Sequence, residues 1–202
     1  MGEVNNELSY SSLFFPTYSP FLKGDVRRTE GFQFSNKRIL PYNKYTTLFL
    51  LKNMFVILHI SDSDKHFSSA IQEYEKRLGK QLHMETLKPF KDTNKELVIH
   101  KETEEILQTL KKKYANFQKI LMIKEGTQRT TEELHQKIIH QDTVFIIGGP
   151  YGVDEKSLKS WFPDLKELSF GRITMPHGLA KLVLIEQLYR CTTIEQGKSY
   201  HY

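Results

Sequence analysis

The chain has 202 residues, 39% hydrophobic and 26% charged, which suits one soluble domain with a full core and some additional chain. Its net charge of +5 divides into +3 over residues 1–53 (seven Lys/Arg, four Asp/Glu) and +2 over residues 54–202 (22 and 20), so bulk charge does not by itself argue for a nucleic-acid partner. One cysteine, Cys191, excludes an internal disulfide framework and points to a reducing compartment, and the longest apolar run, Leu48 to Ile60, is broken by Lys52-Asn53 and is too short to span a bilayer.

Residues 1–53 carry Tyr, Ser, Phe, Asn and the prolines Pro16, Pro20 and Pro41 with no sustained period, and they are expected to be a partly disordered extension. Glu3, Glu7, Asp25 and Glu30 argue against an organellar transit peptide, and no apolar h-region supports a secretory signal, so a cytoplasmic protein is expected. Met54 directly precedes a clean strand and is a candidate natural start.

Phe55 to Ile60 (FVILHI) reads as the first strand. Ser61-Asp62-Ser63-Asp64 offers N-caps for an amphipathic helix marked by Phe67, Ala70, Ile71, Tyr74 and Leu78, with Gly79 as its C-terminal stop. Leu82 to Leu87 is a second strand, and Glu96 to about Tyr114 a long charged helix closed by Lys111-Lys112-Lys113, where the helix dipole favours cations. Ile120 to Ile123 is a third strand, followed by a turn at Lys124-Glu125-Gly126-Thr127. Thr130 and Glu133 form a capping box for a helix over Thr131 to His140. Val144 to Ile147, apolar throughout, reads as a strand buried on both faces. Gly148-Gly149-Pro150-Tyr151-Gly152 then breaks it, and Asp154 caps a helix to about Trp161. Leu165 to Phe170 is a fifth strand. The last helix, about Gly178 to Thr193, is apolar on nearly every side, which fits burial in one core or between two subunits, with a subunit interface favoured in a chain this small. The alternation of strands and helices predicts an α/β domain with a mostly parallel sheet and helices on both faces.

The eight histidines are scattered without metal-ligand spacing, so no metal site is expected. There is no Walker loop, Gly-x-Ser-x-Gly elbow or Gly-x-Gly-x-x-Gly. Two loops remain, GGPYG after one strand and FGRITMPH after the next. Brought to the same sheet edge they would make a pocket of small residues, backbone donors and apolar walls, suited to a neutral-to-cationic adenosine ligand better than to a polyphosphate. Plain core packing is the competing reading for Ile173 and Met175.

VFIIGGPYG, then LSFGRITMPHGLAKLVLIEQLYR, then the terminal SYH closely resemble the RlmH family, methyltransferases of pseudouridine in large-subunit ribosomal RNA and members of the α/β-knot (SPOUT) class. MFVILHI and AIQEYEKRLG are similar to the family's opening strand and first helix, so the resemblance covers residues 54–202 and leaves 1–53 without a counterpart. It implies a homodimer whose C-terminal chain forms a deep trefoil knot, and S-adenosylmethionine held there by Met122, Gly148, Phe170, Gly171, Arg172, Ile173, Thr174 and Met175. It implies methyl transfer to N3 of a pseudouridine in large-subunit rRNA, in the free subunit or the assembled ribosome. For the substrate side the candidates are His201, Tyr200, His177, Lys181 and Arg190, with His201 and Tyr200 favoured. The chain departs from the family pattern at Gly171, Gly178, Lys181 (where Arg is usual), Ser199 and Tyr202, so a planar bidentate contact is lost at position 181. Other readings are a knot methyltransferase for another rRNA or tRNA site, and a non-catalytic knotted RNA-binding or ribosome-assembly protein.

Overall fold

The computed structural model describes residues 53–61, 66–138 and 140–200. The expected extension therefore lies, apart from Asn53, outside the described residues, as do the Asp62 to Asp64 caps and His201.

Among the described residues five strands and five helices alternate: β1 (Phe55–Ile60), α1 (Ser68–Leu78), β2 (Leu82–Leu87), α2 (Lys95–Lys113), β3 (Gln118–Gln128), α3 (Thr131–Ile138), β4 (Thr143–Ile147), α4 (Glu155–Trp161), β5 (Lys166–Ser169) and α5 (His177–Glu195). The strands form one sheet in the order β2-β1-β4-β3-β5, and every pairing is parallel. Parallel neighbours need crossovers, which the helices supply. All of β1 and β4 is buried, because both strands lie inside the sheet with helices over each face.

The period-2 alternation of β1 sorts its side chains into two cores. Phe55 and Ile57 join Phe145, Ile147 and Ile120 under α1, α3 and α5, while Val56, Leu58 and Ile60 join Val144, Ile146 and Leu121 under α2 and α4. Helix α5 packs against both α1 and α3. It buries Leu184, Ile185, Leu188 and Cys191 in the chain's own core and leaves Leu182, Val183 and Tyr189 half-buried.

Local signals explain most boundaries. The capping box is formed, with Thr130 Oγ1 accepting from Glu133 N at 3.2 Å and Glu133 Oε2 accepting from Thr130 N at 3.0 Å. Asp154 Oδ1 accepts from Ser157 N at 3.1 Å and starts α4. Helix α1 differs from expectation: its N-cap is Phe67, with no side-chain cap hydrogen bond. The third strand differs more. It continues to Gln128 because the chain swings away after Met122 and re-enters at Thr127, so that Met122 and Thr127 both pair with Leu168. The turn read at Lys124 to Thr127 is thus an excursion within β3. It stays close to β5, since a Cβ added to Gly126 would meet Leu168 N and C at 3.0 and 2.9 Å.

Candidate functional site

The carboxyl ends of β3, β4 and β5 point the same way, so the segments that leave them meet at one sheet edge. Between them lies an open cleft of about 490 Å³, within the size range of small-molecule sites, roughly 300–1,000 Å³. The β4 side supplies Gly148 to Val153, and the β5 side Phe170, Gly171, Ile173, Thr174 and Met175. Met122 and the excursion Ile123 to Glu125 close the β3 side, and His177 and Ala180 enter from the start of α5.

The glycine turn is folded back on itself. Gly152 N donates to Gly149 O at 2.9 Å, and Gly152 has φ 85°. A Cβ on Gly148 would meet Val153 Cγ1 at 2.7 Å, so any side chain there would have to displace Val153, independently of any ligand. Across the cleft, Ser169 Oγ donates to Lys124 O at 2.9 Å and accepts from Gly171 N at 3.0 Å. That hydroxyl ties the β5 loop to the β3 excursion. The rim carries two exposed large side chains, Tyr151 (48%) and Ile173 (68%).

Of the residues expected to hold a cofactor, Met122, Gly148, Phe170, Gly171, Ile173, Thr174 and Met175 all line this cleft. Arg172 does not. It lies on an adjoining hollow of about 640 Å³ with Lys124, Glu125, Gly126 and Gln128.

The substrate-side candidates are dispersed within the chain. His177 lines the cleft. Lys181 is buried (3%), with its ammonium near the His59 ring. Arg190 donates to Glu186 Oε1 through Nε at 3.1 Å and Nη2 at 2.7 Å, which raises its pKa. Tyr200 is 3.2 Å from Tyr74, hydroxyl to hydroxyl, and packs edge-on to Tyr189 with ring centroids 4.8 Å apart. The hydrogen bond with Tyr74, then burial, raises its pKa. Tyr200 thus packs on the chain's own α1 and α5. His201 lies outside the described residues.

Sequence reading missed Glu102 and Thr103 on α2. Both are buried, and Thr103 Oγ1 accepts from Asp154 N at 2.9 Å. The available signal was a Glu-Thr pair within the helix's four-residue spacing of Val98 and Ile106, on its apolar face. Among the described residues, no group of three or more His, Cys, Asp or Glu is placed to hold a metal ion, and no helix is long and apolar enough to cross a membrane.

A parallel α/β sheet with two loops enclosing a cleft at its carboxyl edge is the setting in which the chain's relatives can be read. The chain belongs to the SPOUT methyltransferase family: residues 53–201 match the family model described as "Predicted SPOUT methyltransferase". It is 38% identical over 152 residues to the ribosomal RNA large subunit methyltransferase H of Streptococcus suis (strain 05ZYH33), covering 68% of this chain and 92% of that protein. To the enzyme of the same name from Mycoplasmopsis pulmonis (strain UAB CTIP) it is 32% identical over 149 residues, covering 72% and 97%. Among solved structures, the ribosomal RNA small subunit methyltransferase E from Neisseria gonorrhoeae bound to S-adenosyl methionine is similar with a TM-score of 0.47 and 13% identity, over 68% of this chain and 66% of that one.

Proposed function

We propose that this protein is an S-adenosylmethionine-dependent methyltransferase acting on N3 of a pseudouridine in large-subunit ribosomal RNA. The observation that carries the reading is the single cleft in which seven of the eight residues expected at the cofactor come together from three strand ends. Its lining fits the donor. Met122, Phe170, Ile173 and Met175 offer apolar contact for an adenine ring, and the glycine turn offers backbone groups for polar edges. The charged groups on the lining are Lys124, paired with Glu125 at 3.4 Å, and Glu155, paired with Lys159 at 3.6 Å, so among the described residues no cluster of free cations is there to hold a polyphosphate. The body of the chain from residue 54 is the catalytic domain in this reading, and its C-terminal part forms the deep trefoil knot of the class. A homodimer and a cytoplasmic setting complete the proposal. The dimer is supported by α5, whose Leu182 and Val183 are only half-buried.

S-adenosylmethionine supplies a methyl group on a sulfonium that needs no further activation. The chain's task is then to align the acceptor and to deal with the imide proton of the base. His177 is the one substrate-side candidate on the cleft of its own chain among the described residues, and it stands in the first turn of α5. An imidazole there can take the N3 proton, and the positive end of the α5 dipole favours the anion left behind. The exposed Tyr151 and Ile173 flank the open side by which a nucleotide would approach.

The test pairs calorimetry with product mapping. The purified protein should bind S-adenosylmethionine and, incubated with ribosomal subunits from a strain lacking it, place a methyl on one large-subunit pseudouridine. Absence of cofactor affinity would favour a non-catalytic RNA-binding role. Methyl transfer to a different RNA would keep the enzyme and replace the substrate.

A further inference from the structure

Helix α2 carries a carboxyl group where a helix in a packed layer would ordinarily present an apolar side chain. Glu102 is 1% exposed. Its Oε1 accepts from Phe90 N at 3.1 Å, and its Oε2 has no hydrogen-bond partner among the described residues. Burying such a group costs several kcal/mol by order of magnitude, and a leucine would fill similar space without that cost. Oε2 lies against the glycine turn, where a Cβ built on Gly149 would collide with it. One residue further on, Thr103 Oγ1 holds Asp154 N. Consecutive residues of one helix therefore engage the turn at both ends, Glu102 at Gly149 and Thr103 at Asp154. Gly149, Val153 and the residues between them line the cleft.

We propose that Glu102 is the positioning residue of the cofactor cleft, its buried carboxyl group braced against Gly149 so that the turn from Gly148 to Gly152 keeps the shape that receives the ligand. Glu102 touches neither ligand nor substrate and acts through the turn. The proposal rests on reading the cleft as the S-adenosylmethionine site only for its effect on affinity. The bracing itself is independent of that reading. Burial also raises the pKa of the Glu102 carboxyl, outweighing the Phe90 hydrogen bond that lowers it, so the uncharged acid is favoured more than in water. Glutamine, neutral and of the same shape, should therefore serve in its place.

The experiment uses the full chain, with Glu102→Gln, Glu102→Asp, Glu102→Ala and Gly149→Ala, and the double variant Glu102→Ala/Gly149→Ala. Two quantities are read: amide hydrogen exchange over residues 148–154, and calorimetric affinity for S-adenosylhomocysteine. Glu102→Ala should speed exchange in this turn tenfold or more with β1 unchanged, and weaken the ligand by about tenfold, a 1.4 kcal/mol effect. Glu102→Gln should stay within about threefold of the parent in both. If Glu102→Ala fails to fold, Glu102→Asp, which draws the carboxyl back by one methylene, should show the same local loosening. Gly149→Ala should be less impaired in the Glu102→Ala background than alone, because the collision is gone. Unchanged exchange in the turn for both Ala and Asp, or simple additivity in the double variant, overturns the proposal. A parent protein that binds no ligand sinks the functional reading instead, and the exchange measurements still decide the bracing.

Discussion

The Lys181 ammonium stands 3.4 and 3.5 Å from the two ring nitrogens of His59, at the end of β1, and both side chains are buried. Thr86 on β2 meets the same ring at Nε2, at 3.0 Å. The first turns of α5 are thereby tied to the edge half of the sheet. Truncating Lys181 removes this buried polar contact and the packing of a buried four-carbon stem. Lys181→Ala should lose about 2 kcal/mol of stability, read as a lowered urea midpoint at unchanged slope. A variant with parental stability and no methyl transfer would instead assign Lys181 to substrate, as its place in the family pattern first suggested.

Glu85 on β2 predicts an acid limb to stability. Its carboxylate accepts from Lys113 Nζ and from the Tyr114 hydroxyl, each at 2.7 Å, and lies 3.4 Å from His83 Nε2. Burial alone would raise its pKa, but these partners outweigh burial and hold it below the ordinary 4.5. A lowered folded pKa means stability that is present at neutral pH and lost as pH falls through the folded value. Glu85→Gln should therefore cost about 1–2 kcal/mol at pH 7, and the gap from the parent should close as pH falls through the lowered folded value. The Tyr114 phenol is shifted up by burial and by Glu85, so its contribution persists until pH rises through its folded value, above the usual 10. Thermal unfolding of both proteins from pH 3 to 10 checks the sign.

Cys191, the chain's single cysteine, reports on folding rather than on chemistry. It is fully buried in α5, and burial pushes its thiol up to about 12. Thiolate is the reactive form, so the native protein should resist a disulfide reagent at pH 8. The observed labelling rate should follow global opening, rising with urea along the unfolding curve. Rapid labelling of the native protein would mean that α5 opens separately from the core.

Most of the architecture was legible because it rests on local patterns. The continuous apolar runs of β1 and β4 announced strands with helices on both faces, and Thr130, Glu133 and Asp154 announced helix starts through hydrogen bonds that span three residues. What sequence reading could not reach were relations set by packing. The return of β3 at Thr127 depends on Leu168 of β5 offering its backbone a second time. Glu102 and Lys181 look like surface charges by residue type, and only the layers above them show that both are buried. The cleft was legible from two glycine-containing loops that follow consecutive strands. The placement of Arg172 beside it, and of Tyr200 on Tyr74 and Tyr189, was not.

That packing of Tyr200 gives the last prediction. Arg190 and Tyr200 do not line the cleft of their own chain, with the Arg190 guanidinium 5.1 Å over the Tyr200 ring. If Tyr200 and His201 serve the substrate, a two-fold dimer must bring one subunit's tail to the other's cleft. Two individually inactive variants then complement each other. One is Gly148→Val, which forces Val153 out of place, and the other is Tyr200→Ala/His201→Ala. In a random mixture half the dimers are mixed, and each mixed dimer has one site built from an intact cleft and an intact tail. About a quarter of parental methyl transfer should return. The mixing is done by co-expression with two affinity tags, and activity is measured on the doubly selected dimers, which should show about half the parental rate. No recovery in dimers shown to contain both variants would leave the tail serving its own subunit, or serving only to hold α1 and α5 together.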